Sequence, residues 1–140
     1  MNRRALLDTL VTAGIGASLT PLMAAYGAET SGDRTILQQE LPEVSTRDWS
    51  MTAVEVTYKP GEMDAPHKHP GFVFGYVVDG AIQFEIDGGS QRTVKAGEMF
   101  YEPPGSVHRV SGNASKTKPA RLLAMIFADK KLPLESPAGT

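Results

Sequence analysis

The chain has 140 residues, 41% of them hydrophobic and 21% charged, close to globular averages and enough for one ordinary domain with a packed core. Its formal net charge is −2, with no large basic block, which argues against nucleic acid as a partner because phosphate binding needs clustered Lys and Arg. There is no cysteine, which excludes disulfides, thiolate catalysis and sulfur-ligated zinc.

Residues 1–28 differ from the rest. Arg3 and Arg4 follow the start, and residues 9–28 carry no charge. A basic segment, then an apolar one ending in small residues, is the pattern of an export signal. The run Asn2-Arg3-Arg4-Ala5-Leu6-Leu7 resembles the twin-arginine signal of bacteria, with Asn2 where Ser or Thr is usual and Asp8 as a departure. The competing reading is an uncleaved membrane anchor, which Pro21 and three glycines make a poor span. We therefore expect a signal over 1–27 and a periplasmic or extracellular protein with no stable membrane insertion after processing.

Residues 28–50 read as an arm, with one short strand around Thr35-Ile36-Leu37 and Trp49 marking where the core begins. From there short strands alternate with turn residues. Residues 51–58 place Val54 and Val56 on one face and Ala53 and Glu55 on the other. Residues 72–78 are aromatic and β-branched and end in Asp79-Gly80, a hairpin signal. Strands follow at 81–86, 91–95, 99–101, 107–110 and 121–128, with no helix and a loose tail from Pro133. Many short strands at this spacing imply a closed barrel or sandwich.

Three histidines are present. His67 and His69 lie two apart, so an extended segment projects both rings to one side, and Pro66 and Pro70 favour that geometry. His108 follows the Pro103-Pro104-Gly105 turn. An HxH pair alone is more often a surface accident than a ligand set, but the spacing around this one is specific. Gly61, five residues, His67-Lys68-His69, then Val73 and Gly80 match one motif; Gly97, five residues, Pro103, Gly105 and His108 match a second, with Asn113 one place late. In these two motifs the chain resembles the cupin family over residues 54–127. The resemblance implies a single jelly-roll barrel over 51–130 and a metal ion on His67, His69 and His108, the family's ligand positions.

Typical cupins have glutamate where this chain has Val73. Neutral imidazoles leave a 2+ charge uncompensated, so a three-histidine centre has an open, electropositive face suited to an anionic chelating substrate. That arrangement looks like the thiol and diketone-cleaving dioxygenases among cupins, which favours Fe(II), although imidazole also suits Zn, Ni and Cu, and Mn is compatible. The opposing reading of Val73 is a decayed site. Glu102, Gln83 and Glu85 read as solvated strand residues, Asp64 and Glu62 as solvated loop residues, and Phe74 and Tyr76 as barrel core or pocket wall. The expectation is an all-β chain: signal, arm, cupin barrel and a flexible tail over 131–140. It is expected to pair as a homodimer and to take a small-molecule ligand, as a metal-dependent dioxygenase or as a non-catalytic binder.

Overall fold

Alternation of apolar and polar side chains with a period of two commits a segment to a strand with one buried face, and this chain repeats that pattern through most of its length. A computed structural model describes residues 32–44 and 47–139; the expected export signal lies outside the described residues. The described secondary structure is β-strand throughout, all of it antiparallel: β1 (Trp49–Tyr58), β2 (His67–Lys68), β3 (Phe72–Asp79), β4 (Ala81–Ile86), β5 (Arg92–Lys95), β6 (Met99–Glu102), β7 (Val107–Asn113), β8 (Ala120–Asp129) and β9 (Ser136–Pro137). They form a four-stranded sheet in the order β1-β8-β3-β6 and a five-stranded sheet in the order β5-β4-β7-β2-β9. The inward faces share one core in which Tyr58, Val77, Phe100 and Leu122 of the first sheet meet Ile82, Phe84 and Val94 of the second.

The strands expected from alternation are present, most of them a residue or two longer. Two segments differ. Around Thr35-Ile36-Leu37 there is no strand; Leu37 and Leu41 instead border a shallow cavity with Phe74, Met99, Met125 and Phe127 on the outer side of the four-stranded sheet. Phe74 therefore faces outward and is not a wall of the inner pocket. The tail read as loose is held: Pro137 and Ser136 pair with His67 and Lys68, and the Ala138 N–H donates to the Pro66 carbonyl at 3.1 Å.

Two backbone features position the interior. Between Ile86↔His108 and Glu85↔Val110 the β4–β7 register slips, leaving Arg109 as an extra residue on β7. Such a bulge shifts the alternation by one, so His108 and Ser111, three apart, both line the interior cavity. The same extra residue carries Asn113 one place beyond the motif's spacing. There its side-chain amide donates to the carbonyls of Lys59 at 3.0 Å and Lys118 at 2.7 Å, clipping two loops together.

The second feature is Gly75, paired with Phe100 across β3 and β6. A Cβ at Gly75 would lie 2.1 Å from Cζ of the Phe100 ring, which is 1% exposed and packed, tilted by 38°, 4.3 Å from Phe84. Phe84 in turn packs 4.9 Å from the His108 ring. The missing side chain thus seats a stack of rings that ends on His108. Gly75→Ala is expected to lower the unfolding free energy by about 1–3 kcal/mol through overpacking, measured in urea. A loss under about 0.5 kcal/mol, within ordinary surface effects, would show that Phe100 has room to move.

Candidate metal centre

The two proline-bounded segments bring the histidines together. His67 on β2 is the direct cross-strand partner of His108 on β7, and their ring centroids are 5.1 Å apart. His69 stands edge-on to His67, also at 5.1 Å. The turn before β7 is tied to the same place: the Gly105 N–H donates to the His69 carbonyl at 2.9 Å, with Gly105 at φ 70°, a left-handed conformation that glycine adopts freely. Asp87 adds a third tie, its carboxylate accepting the Val107 N–H at 2.7 Å.

Each ring is oriented through Nδ1. His67 Nδ1 meets the Ala65 carbonyl at 3.0 Å, His69 Nδ1 the Leu134 carbonyl at 2.7 Å, and His108 Nδ1 a Glu102 carboxylate oxygen at 3.1 Å. A carbonyl oxygen only accepts, so Nδ1 carries the proton in the first two rings and Nε2 of the neutral imidazole presents a lone pair. A Glu102 carboxylate imposes the same choice on His108. Second-sphere acceptors of this kind commonly orient metal-binding histidines.

Glu102 is the residue that sequence reasoning missed. Read as solvated, it is 3% exposed. It lies directly across the β3–β6 pair from Val73, so a carboxylate reaches the site from the neighbouring strand. The signal was present: Phe100 and Glu102 are two apart, and a strand that buries one side chain buries the other. Glu102 Oε2 lies 3.9 Å from His69 Nε2. Glu102 Oε2 and His108 Nε2 are buried without a hydrogen-bond partner, a costly arrangement that asks for an occupant. Among the described residues no group of three His, Cys, Asp or Glu side chains is placed so that it could hold a metal ion. The buried carboxylate also offsets part of the positive charge expected of a purely histidine centre.

These groups border a cavity of about 380 Å³. Its walls are mostly apolar, from Val54, Val56, Val73, Phe100, Leu122 and Ile126. A second polar group on its lining comes from Tyr58, Asp64 and Ser111. The Tyr58 hydroxyl donates to the Asp64 carboxylate and lies 3.0 Å from Ser111 Oγ. Burial first, and then the bond to Asp64, push the Tyr58 pKa well above the usual tyrosine range, so the phenol stays protonated. Asp64, read as a solvated loop residue, is thus fixed at the cavity, and its own N–H donates to the Ser111 carbonyl at 2.8 Å.

The model of the cupin domain family matches residues 54–126, the stretch that contains all three histidines and Glu102. The chain belongs to the cupin family. Comparison with curated proteins gives no match. Among solved structures, a cupin-like protein from Thermotoga maritima is 18% identical with a TM-score of 0.56, covering 74% of this chain and 89% of that one. A DMSP lyase from Ruegeria pomeroyi is 19% identical with a TM-score of 0.55, covering 64% of this chain and 43% of that one, so this cupin spans under half of the lyase. The Mn(II)-containing oxalate decarboxylase of Bacillus subtilis is 23% identical with a TM-score of 0.51, covering 62% of this chain and 23% of that one. At these identities the likeness is one of fold.

The tail generates a prediction. Deleting residues 133–140 removes the Leu134 carbonyl that holds His69 Nδ1, so the His69 ¹⁵N resonances should move from one fixed tautomer to an exchange average. Unchanged shifts in the shortened chain would show that another group orients the ring.

Proposed function

We propose that this cupin is an exported protein that holds one divalent metal ion on His67, His69 and His108, with Glu102 orienting the His108 ring from behind, and acts on a small molecule in the adjoining cavity. The observation that carries this reading is the pair of buried, unpartnered atoms, His108 Nε2 and Glu102 Oε2, beside two further imidazoles whose Nδ1 atoms are already committed to carbonyl oxygens. An ion held on the three imidazoles would satisfy their Nε2 lone pairs. Three imidazoles backed by a buried carboxylate suit Mn(II), Fe(II) and Zn(II), and the oxalate decarboxylase that shares the fold has Mn(II) centres.

When bound, the ion supplies Lewis-acid polarisation of a ligand atom. The chain's own groups do the rest. The apolar walls exclude water around a bound molecule, and Glu102 holds the His108 ring. Tyr58 presents a protonated hydroxyl whose hydrogen is directed at Asp64. Fe(II)-dependent oxygen chemistry on an anionic chelator, the reaction expected of a three-histidine centre, would take place beside the buried Glu102 carboxylate, whose charge disfavours an anionic ligand. Export is supported by Arg3, Arg4 and the uncharged residues 9–28.

The metal reading is tested by loading purified protein with Mn(II), anaerobic Fe(II) or Zn(II), desalting, and measuring bound metal. One equivalent per chain is expected for at least one ion, none for His108→Ala, and an affinity lowered about 10–100-fold for Glu102→Gln. Absence of retained metal with all three ions would overturn it. For export, replacing Arg3 and Arg4 together by Lys should leave the full-length precursor in the bacterial cytoplasm; undiminished appearance in the periplasm would rule out the twin-arginine route.

A further inference from the structure

The charges around the cavity all have one sign. Asp64, Glu102 and Glu135 line it, and among the described residues no Lys or Arg does. Glu102 is buried at the histidines, whereas Asp64 and Glu135 are exposed. Asp64 and Glu135 also border a second, outer cavity of about 420 Å³ with His67, Ser136 and Pro137, again without Lys or Arg. The two carboxylates therefore stand together where the inner cavity opens. Neither is in an ion pair among the described residues.

The Asp64 side chain and the backbone beside Glu135 are held in place. Asp64 accepts the Tyr58 hydroxyl and is anchored through its N–H to β7. Glu135 follows Leu134, whose carbonyl binds His69, and precedes β9. The third carboxylate, Glu102, is 3% exposed and keeps one oxygen without a partner. Three carboxylates against a divalent ion leave the cavity with one net negative charge, and without the ion the field is stronger. A low-dielectric cleft lined by one sign of charge concentrates ligands of the other.

Building on the small-molecule reading above, we propose that the cavity takes a small organic cation. Its charged head sits between Asp64 and Glu135, and its apolar body lies against Val54, Val56 and Leu122. A polar end reaches toward His67 and His108. At about 380 Å³ the space is at the lower end of ligand pockets, which sets the size at a few carbons.

The probe is a pair of isosteric alcohols, choline and uncharged 3,3-dimethyl-1-butanol, titrated into full-chain protein with and without Zn(II) by calorimetry and ligand-observed NMR at low salt. Choline is expected to bind at least tenfold more tightly than its neutral isostere, with a larger ratio in the metal-free protein. Replacing Asp64 by Asn and Glu135 by Gln together should bring the ratio to within twofold. Equal or tighter binding of the neutral alcohol, no binding of either, or a preference that survives the double substitution would each overturn the proposal. Zn(II) content measured on the same samples keeps this result separate from the metal reading, since the charge preference is read in metal-free protein as well.

Discussion

An imidazole has two nitrogens, and committing the proton of one decides what the other can do. In this cupin the commitment is made three times, at Nδ1 of His67, His69 and His108, and each acceptor comes from a different part of the chain: a loop carbonyl two residues away, a carbonyl of the C-terminal segment, and a carboxylate on β6. The barrel's architecture serves this arrangement. Pairing of β2 with β7 sets His67 against His108, the bulge at Arg109 turns Ser111 to the same interior, and the Gly75–Phe100–Phe84 stack supports the His108 ring from behind. Without these contacts the three side chains would be ordinary surface imidazoles, free to exchange tautomers and to point apart.

Much of this was legible in the sequence because it depends on local rules. Alternation located the strands, since Val54 and Val56 or Ile82 and Phe84 must share a face once the backbone is extended. Glycines and prolines located the turns, and their spacing around the histidines indicated the family. What was not legible depends on pairing between distant strands. Nothing local to Glu102 says that it lies opposite Val73; that follows from β3–β6 register, which neither segment encodes alone. The tail has one two-residue strand and few apolar residues, so its place beside β2 is set by backbone pairing that leaves no side-chain pattern to read. Asp64 was hidden for a related reason, because its partner Tyr58 arrives from the end of β1 and Ser111 from β7.

The position of Glu102 also changes how the departure at Val73 is to be understood. For the proposed metal centre, a negative charge near the ion is what the chemistry would need, and either of two facing strands could deliver it. With valine on β3, the space beside Ile126 is filled by a hydrophobe that is 1% exposed, and the carboxylate comes from the other side of the pair. Loss of a side chain at one position in a motif is therefore not equivalent to loss of the function it carried, provided the sheet places a replacement within the same few ångströms.

The bond from the Leu134 carbonyl to His69 has a further consequence for how this protein can vary. A main-chain oxygen is present whatever residue occupies position 134, so replacing side chains one at a time would leave the anchor intact and report that segment as unimportant. Its sensitivity lies in chain length instead. A residue added or removed between Asp129 and Ser136 would slide the carbonyl away from the ring while altering no group that belongs to the site itself. Insertions and deletions, rather than substitutions, are the changes by which that end of the molecule would gain or lose its hold on the imidazole.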